Sequence, residues 1–209
     1  MTLADKGFVV IRGALTGDGL KLYQHLLKQS FLHRKQMFMN RYGEWRIGDD
    51  QCDKRWSLGR QPVGESLLYA MKDVIQEAVG VDIIPSYSFP TIYAPGAVLK
   101  KHIDRYACEL TCTMAIEYEP NTIWSIYLND PLVSREHVER VDLAPGDILV
   151  FDGSKKPHWR EELNQDHYSM NVFLHYAYKD GPMVSHAKKE DQGMYNDISL
   201  EHDIAKDAI

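Results

Sequence analysis

His102 and Asp104 stand one residue apart in Lys101-His102-Ile103-Asp104-Arg105, and a further histidine, His158, occurs in Lys156-Pro157-His158-Trp159-Arg160. Two imidazoles and one carboxylate can occupy one face of an octahedral iron(II), leaving the opposite positions open for a chelating cosubstrate and dioxygen. Such a site suits oxygen chemistry, because one carboxylate lowers the net charge without closing the coordination sphere. In an extended strand the side chains alternate between faces, so His102 and Asp104 are expected to point the same way. By the same rule Lys100 shares the face of His102, and Arg160 shares the face of His158. The triplet alone is weak evidence, since the chain has nine histidines and His-x-Asp arises readily by chance.

The surrounding segments are those of a β-rich protein. From Ile83 to about Tyr178 come short runs of β-branched and aromatic residues: Ser86 to Tyr93, Val98 to His102, Leu110 to Tyr118, Ile123 to Leu128, Val138 to Leu143, Asp147 to Phe151, and Tyr168 to Tyr178. Turn sequences separate them at Ala94-Pro95-Gly96, Glu119-Pro120-Asn121, Ala144-Pro145-Gly146 and Asp152-Gly153-Ser154. This punctuation predicts an antiparallel sandwich or barrel. Upstream, Phe8 to Ile11 reads as a short strand. Leu20, Leu22, Tyr23, Leu26 and Leu27 read as a helical stripe, and Glu65 to Val79 as a second helix closed by Gly80. Between Arg34 and Pro62 the periodicity disappears, which predicts a long loop of the kind that covers binding sites. A short helix is expected around Ile198 to Ile204.

In four segments, TIYAPGAVLKKHIDR, APGDILVFDG, KPHWRE and NVFLHYAY, the chain resembles the iron(II)- and 2-oxoglutarate-dependent oxygenases, in particular small members of the prolyl-hydroxylase-like branch. The resemblance implies an α+β, mainly β fold class: a double-stranded β-helix, jelly-roll or cupin-like, with N-terminal supporting helices. The length of 209 residues is within the range of one domain, so a single domain is expected over 1–209, made of an N-terminal part (1–82), the core (83–178) and a C-terminal extension (179–209). The resemblance also implies iron held by His102, Asp104 and His158, with 2-oxoglutarate as cosubstrate and O2 as oxidant. The reaction would hydroxylate a small molecule, amino acid or peptide side chain and decarboxylate 2-oxoglutarate to succinate. Tyr93 matches a tyrosine that grips the cosubstrate's far carboxylate. The arginine or lysine that such enzymes carry roughly nine to eleven positions after the distal histidine is missing, and His167, Tyr168 and Ser169 stand there.

A buried carboxylate needs a donor. Arg160 is the first choice, because its planar fork suits a bidentate grip. His167 is the second, helped by Ser169 and Asn171. Arg105 can orient Asp104 or a substrate anion, while Trp124 and Tyr127 are candidate pocket walls. Asp104 fills the position that would otherwise admit a halide, so hydroxylation is favoured over halogenation.

Composition narrows the alternatives. The chain has 209 residues, 44% hydrophobic and 26% charged, with net charge −6, so nucleic acid is not the expected partner. One local exception, Phe31 to Pro62, interleaves Arg34, Lys35, Arg41, Arg46, Lys54, Arg55 and Arg60 with Phe38, Tyr42, Trp45 and Trp56, and leaves a nucleic-acid-modifying oxygenase open. No basic leader precedes a long apolar stretch and no run approaches membrane-spanning length, so a cytoplasmic location is expected. Three cysteines give no paired framework, and Cys108 and Cys112 read as sharing one strand face rather than forming half of a zinc site. A cupin-like metal protein that does not use 2-oxoglutarate and a binding module without turnover are the remaining rivals. Oligomeric state is not legible.

Overall fold

A computed structural model of the chain describes residues 3–42, 47–120, 122–129 and 137–191. Trp45, Arg46, the turn residue Asn121 and the segment around Ile198 to Ile204 lie outside the described residues.

Two antiparallel sheets face each other. The chain opens with α1 (Leu3–Lys6), β1 (Phe8–Ile11), α2 (Gly17–Tyr42), β2 (Arg55–Ser57) and α3 (Pro62–Val79). There follow β3 (Ile83–Tyr93), β4 (Leu99–His102), β5 (Leu110–Glu119), β6 (Ile126–Asn129), β7 (Val138–Val141), β8 (Ile148–Phe151), β9 (His158–Arg160), β10 (Tyr168–Tyr178) and α4 (Val184–Asp191). Six strands form one sheet in the order β1-β8-β5-β10-β3-β2, and four form the other in the order β4-β9-β6-β7.

Strand alternation divides the larger sheet's side chains between two cores. Cys112, Met114, Val150, Val172, Leu174 and Tyr176 point out and are covered by Leu27 of α2 and by Leu68 and Ile75 of α3. Ala115, Leu149, Phe151 and Phe173 point in, against Leu99, Ile126 and Leu128 of the smaller sheet. The helices therefore brace the larger sheet from behind and leave the space between the sheets to the site. Helix α3 ends as its sequence predicts, with Gly80 at φ 75° and its N–H on the Gln76 carbonyl. No helix among the described residues is long and apolar enough to cross a membrane.

The predicted loop from Arg34 to Pro62 is only half right. Helix α2 continues to Tyr42, because Arg, Lys, Gln and Met are good helix formers and need no apolar stripe where the helix faces water. Bonds one turn apart support it, with Gln36 on Asn40 at 2.7 Å and Arg34 over the Phe38 ring at 4.6 Å. The expected stripe also differs, since Leu22 and Leu26 are exposed while Tyr23, Leu27 and Phe31 are buried. Nor do the described residues of the basic stretch form one cationic face. Arg55 and Arg60 turn onto Asp49 and Glu65, and Lys35 lies over Trp56.

Candidate metal centre

His102 and His158 face each other directly across the β4–β9 pair, their rings 4.3 Å apart. Asp104 lies just past the end of β4. Its backbone N–H binds the Gly153 carbonyl at 2.8 Å, which swings the carboxylate between the two rings. Asp104 Oδ1 lies 3.5 Å from His102 Nε2 and 3.7 Å from His158 Nε2. The ligand atoms of all three residues fall within 4.8 Å of one another. The two-residue rule thus gives the right outcome through a loop rather than through continued strand. It fails for Lys100: an irregularity between Leu99 and His102 leaves that side chain exposed, its Nζ on the Asp50 carbonyl.

Each candidate ligand group is aimed by a hydrogen bond on its far side. His102 Nδ1 is 2.7 Å from the Lys100 carbonyl and His158 Nδ1 is 3.0 Å from the Lys156 carbonyl. A carbonyl can only accept, so each Nδ1 carries its proton and each Nε2 presents a lone pair to the centre. Asp104 Oδ2 accepts a 2.6 Å bond from Thr111 Oγ1, leaving Oδ1 to face the imidazoles. Burial would raise the Asp104 carboxyl, but His102, His158, His175 and the Thr111 hydroxyl together hold it well below the usual carboxylate range. Burial also lowers His158, so at neutral pH the carboxylate is ionised and this imidazole is neutral, the forms a metal would need.

The three residues head a cavity of about 320 Å³, whose walls include Gln51, Arg55, Tyr87, Phe89, Leu99, Arg105 and Phe173. Beyond Leu99 and Phe173 lies Arg160, 1% exposed. Its Nη1 donates to the Trp124 carbonyl and its Nη2 to Asn171 Oδ1 at 3.3 Å. Neither partner is charged. Arg160 Nε and the hydroxyls of Tyr93 and Tyr118 are buried without a well-formed hydrogen bond. Burial raises both phenols, and the adjacent guanidinium of Arg160, joined at Tyr93 by that of Arg55, opposes the rise. Asn171 Nδ2 donates to Ser169 Oγ at 2.8 Å, which orients Oδ1 toward Arg160.

The sequence matches no family model and no curated protein. Solved structures do match. A prolyl-4-hydroxylase from Pseudomonas putida superposes with a TM-score of 0.57 at 15% identity, covering 85% of this chain and 95% of that one. The chain has the double-stranded β-helix fold of the 2-oxoglutarate- and iron(II)-dependent oxygenases. The same double-stranded β-helix is shared with the carbocyclase SnoK from nogalamycin biosynthesis, with a TM-score of 0.62, 14% identity and coverage of 90% and 87%. It is shared too with HygX from Streptomyces hygroscopicus, solved with nickel, 2-oxoglutarate and hygromycin B, with a TM-score of 0.60, 11% identity and 85% coverage of each chain.

Within this β-helix, several sequence-derived candidates come together and others do not. Tyr93, Arg160, Ser169 and Asn171 gather at one end of the inter-sheet space, and Arg105 lines the cavity beside Asp104. Trp124 is buried, but it packs edge-on to Tyr93 and under the Arg160 guanidinium, away from the cavity. Tyr127 points out of the smaller sheet and stacks on Trp159, because Ile126 and Leu128 take the inward positions of β6. His167 stays in the turn before β10 with Asn164 and Asp166. Cys108 and Cys112 do not share a strand face: Cys108 ends a short 3-10 turn and contacts the Tyr87 hydroxyl, whereas Cys112 packs toward the helices. Trp56 packs toward α2 rather than the cavity, to which its neighbour Arg55 is turned instead.

Sequence reasoning missed Tyr118, Thr111, His175 and Arg55. Tyr118 and Thr111 were legible only as strand residues, and their significance rests on strands that neighbour them in space. Arg55 was lost among the seven cations of a segment read as loop.

Proposed function

We propose that this protein is an iron(II)- and 2-oxoglutarate-dependent dioxygenase that hydroxylates a small molecule, an amino acid or a peptide side chain. The observation that carries the reading is the convergence of His102 Nε2, His158 Nε2 and Asp104 Oδ1 at the head of an inter-sheet cavity. His102, Asp104 and His158 would hold iron(II), for which two imidazoles and one carboxylate are a suitable donor set. The fold, and the nickel and 2-oxoglutarate held by the structurally similar HygX, support the same assignment.

The second half of the site fits the cosubstrate. A fully buried guanidinium with no carboxylate partner among the described residues is costly, and an anion delivered between the sheets removes that cost. Arg160, with the hydroxyls of Tyr93 and Tyr118 and with Asn171 and Ser169 behind it, would hold the far carboxylate of 2-oxoglutarate. It thus takes over the work of the cation missing from β10.

Bound iron(II) supplies dioxygen activation coupled to decarboxylation of 2-oxoglutarate to succinate. The chain's part is placement and dryness. His102 and His158 are fixed in one tautomer by backbone carbonyls, Thr111 leaves Asp104 one free oxygen, and Leu99, Phe89 and Phe173 keep water from the cosubstrate's path.

The test is an anaerobic titration of the iron(II) protein with 2-oxoglutarate. A visible charge-transfer absorption is expected, together with oxygen-dependent succinate formation that Asp104→Ala abolishes. Iron binding without any such absorption would overturn the reading in favour of a cupin-like metal protein.

A further inference from the structure

The donor groups around Asp104 do not end with the two imidazoles. Cys108 and His175 line the same cavity, and the proposed reaction uses neither. Residues Tyr106–Cys108 form a 3-10 turn directly after the loop that carries Asp104. The Cys108 N–H closes it on the Arg105 carbonyl at 2.9 Å, which folds the thiol back toward Asp104. His175 comes from β10, where it pairs with Thr111 of β5 on one side and with Tyr87 of β3 on the other. One donor atom each from Asp104, Cys108 and His175 falls within 4.8 Å of the other two, the limit that also bounds His102, Asp104 and His158.

These donors are weakly engaged. The Thr111 hydroxyl has one proton, which goes to Asp104 Oδ2 at 2.6 Å, so toward His175 Nδ1 at 3.3 Å its oxygen can only accept. The basic nitrogen of His175, a residue only 6% exposed, therefore has no hydrogen-bond donor among the described residues. Cys108 Sγ lies 3.0 Å from the Tyr87 hydroxyl, and a thiol is a weak partner in such a bond.

We infer that Asp104, Cys108 and His175 form a second cation site, which takes a thiophilic divalent ion such as zinc and competes with the iron site for Asp104. A thiolate, an imidazole and a carboxylate are a zinc donor set, whereas the triad of His102, Asp104 and His158 has no sulfur and suits iron(II). Around tetrahedral zinc such donors stand roughly 3.3–3.8 Å apart, so the site closes with at most about 1.5 Å of side-chain movement. Water can reach it as a fourth ligand from the cavity that all three residues line. Asp104 Oδ1 faces the iron-site imidazoles, so zinc falls to Oδ2 and displaces the Thr111 hydroxyl that sets the carboxylate for iron. It also places a second dication beside the first, away from bulk water. Each ion therefore weakens the binding of the other, and the weakening is reciprocal. The inference stands on the metal centre and not on 2-oxoglutarate.

The test uses the full chain freed of metal, under anaerobic conditions, with cobalt(II) as the probe and zinc(II) as the competitor. Cobalt is expected to give a thiolate-to-metal charge-transfer band in the near ultraviolet, which cobalt held by nitrogen and oxygen alone does not show. Cys52 and Cys112 are sealed in the two cores, so the band reports Cys108. It should be lost in Cys108→Ala and need at least about tenfold more cobalt in His175→Gln. It should persist in His102→Ala, which disables only the iron site. Cys108→Ala should still bind iron(II), which shows that the variant is folded. In that variant the zinc(II) concentration that halves bound iron(II) should rise at least about tenfold over the native chain. Absence of the band in the native chain, its survival in Cys108→Ala, or equal zinc competition in the two proteins overturns the inference. None of these readouts involves succinate or 2-oxoglutarate, so their failure leaves the dioxygenase reading standing, and the failure of that reading leaves them unchanged.

Discussion

Thr111 Oγ1 donates to Asp104 Oδ2 at 2.6 Å, and the same hydroxyl lies 3.3 Å from His175 Nδ1. The carboxylate is thereby held from behind by the larger sheet while its other oxygen faces two imidazoles on the smaller one. A residue of β5 thus decides which oxygen of Asp104 is free for a metal. Thr111→Val keeps the shape of the side chain but removes the donor. Iron(II) affinity is expected to fall roughly ten- to a hundredfold with the far-ultraviolet circular dichroism unchanged. Competition with a chelating dye measures it, and an unchanged affinity would show that Thr111 does not orient the ligand.

Gly153 permits this approach. A Cβ at that position would lie 2.1 Å from Thr111 Oγ1 and 2.5 Å from Asp104 Oδ2. In Gly153→Ala the Thr111–Asp104 bond must break or the turn must move. The expected result is a loss of iron affinity at least as large as that of Thr111→Val, and the double variant should be little worse than either single one.

Arg160 separates stability from function. Replacing a buried charge that has no counter-ion among the described residues by an apolar side chain of similar length is expected to be neutral or stabilising for the ligand-free protein. Arg160→Met should therefore unfold at the same or higher denaturant concentration than the native chain. Its affinity for 2-oxoglutarate, read from the charge-transfer absorption, should drop about a hundredfold or more. A marked loss of stability would show that the bonds to the Trp124 carbonyl and Asn171 are the reason for this arginine.

Metal removal should cost stability by mass action. At free iron(II) near a hundred times its dissociation constant, binding contributes about 3 kcal/mol, which for a chain of this size is a melting shift of roughly 5–10 °C. The shift is expected on adding iron(II) anaerobically to chelator-treated protein, and it should vanish in Asp104→Ala.

Acid should weaken the metal-free protein through His175. Burial lowers its pKa to about 4, against an ordinary value of 6.5, so the fold binds it neutral while the unfolded chain takes up a proton. That contribution is present in full above about pH 6.5 and is lost as pH falls toward 4, up to about 3 kcal/mol in all. Denaturant midpoints measured from pH 7.5 to 4 should fall steeply for the native chain and less steeply for His175→Gln. Equal slopes would exclude His175 as the group responsible.

Much of the site was legible because strand alternation is a local rule. It gave the shared face of His158 and Arg160 directly, and Arg160 is buried where that rule puts it. It gave the wrong direction for Lys100, where the β4–β9 register slips, and it could not tell that Ile126 and Leu128 rather than Tyr127 face inward. The helical half of the segment read as loop was hidden for a different reason. A helix lying on the surface with one narrow buried edge shows no strong apolar period.

By itself the sequence determined the strand-and-turn order, the two braces α2 and α3, and the three side chains able to hold a metal, because each of these depends on residues close together in the chain. Only the tertiary structure decided that Thr111 and Gly153 aim Asp104, that Tyr118 joins Tyr93 beside Arg160, and that Arg55 enters the cavity while Tyr127 and His167 stay out. Those relations link residues on strands paired across sheets or facing between them, and no periodicity in a single chain specifies which distant strands will meet.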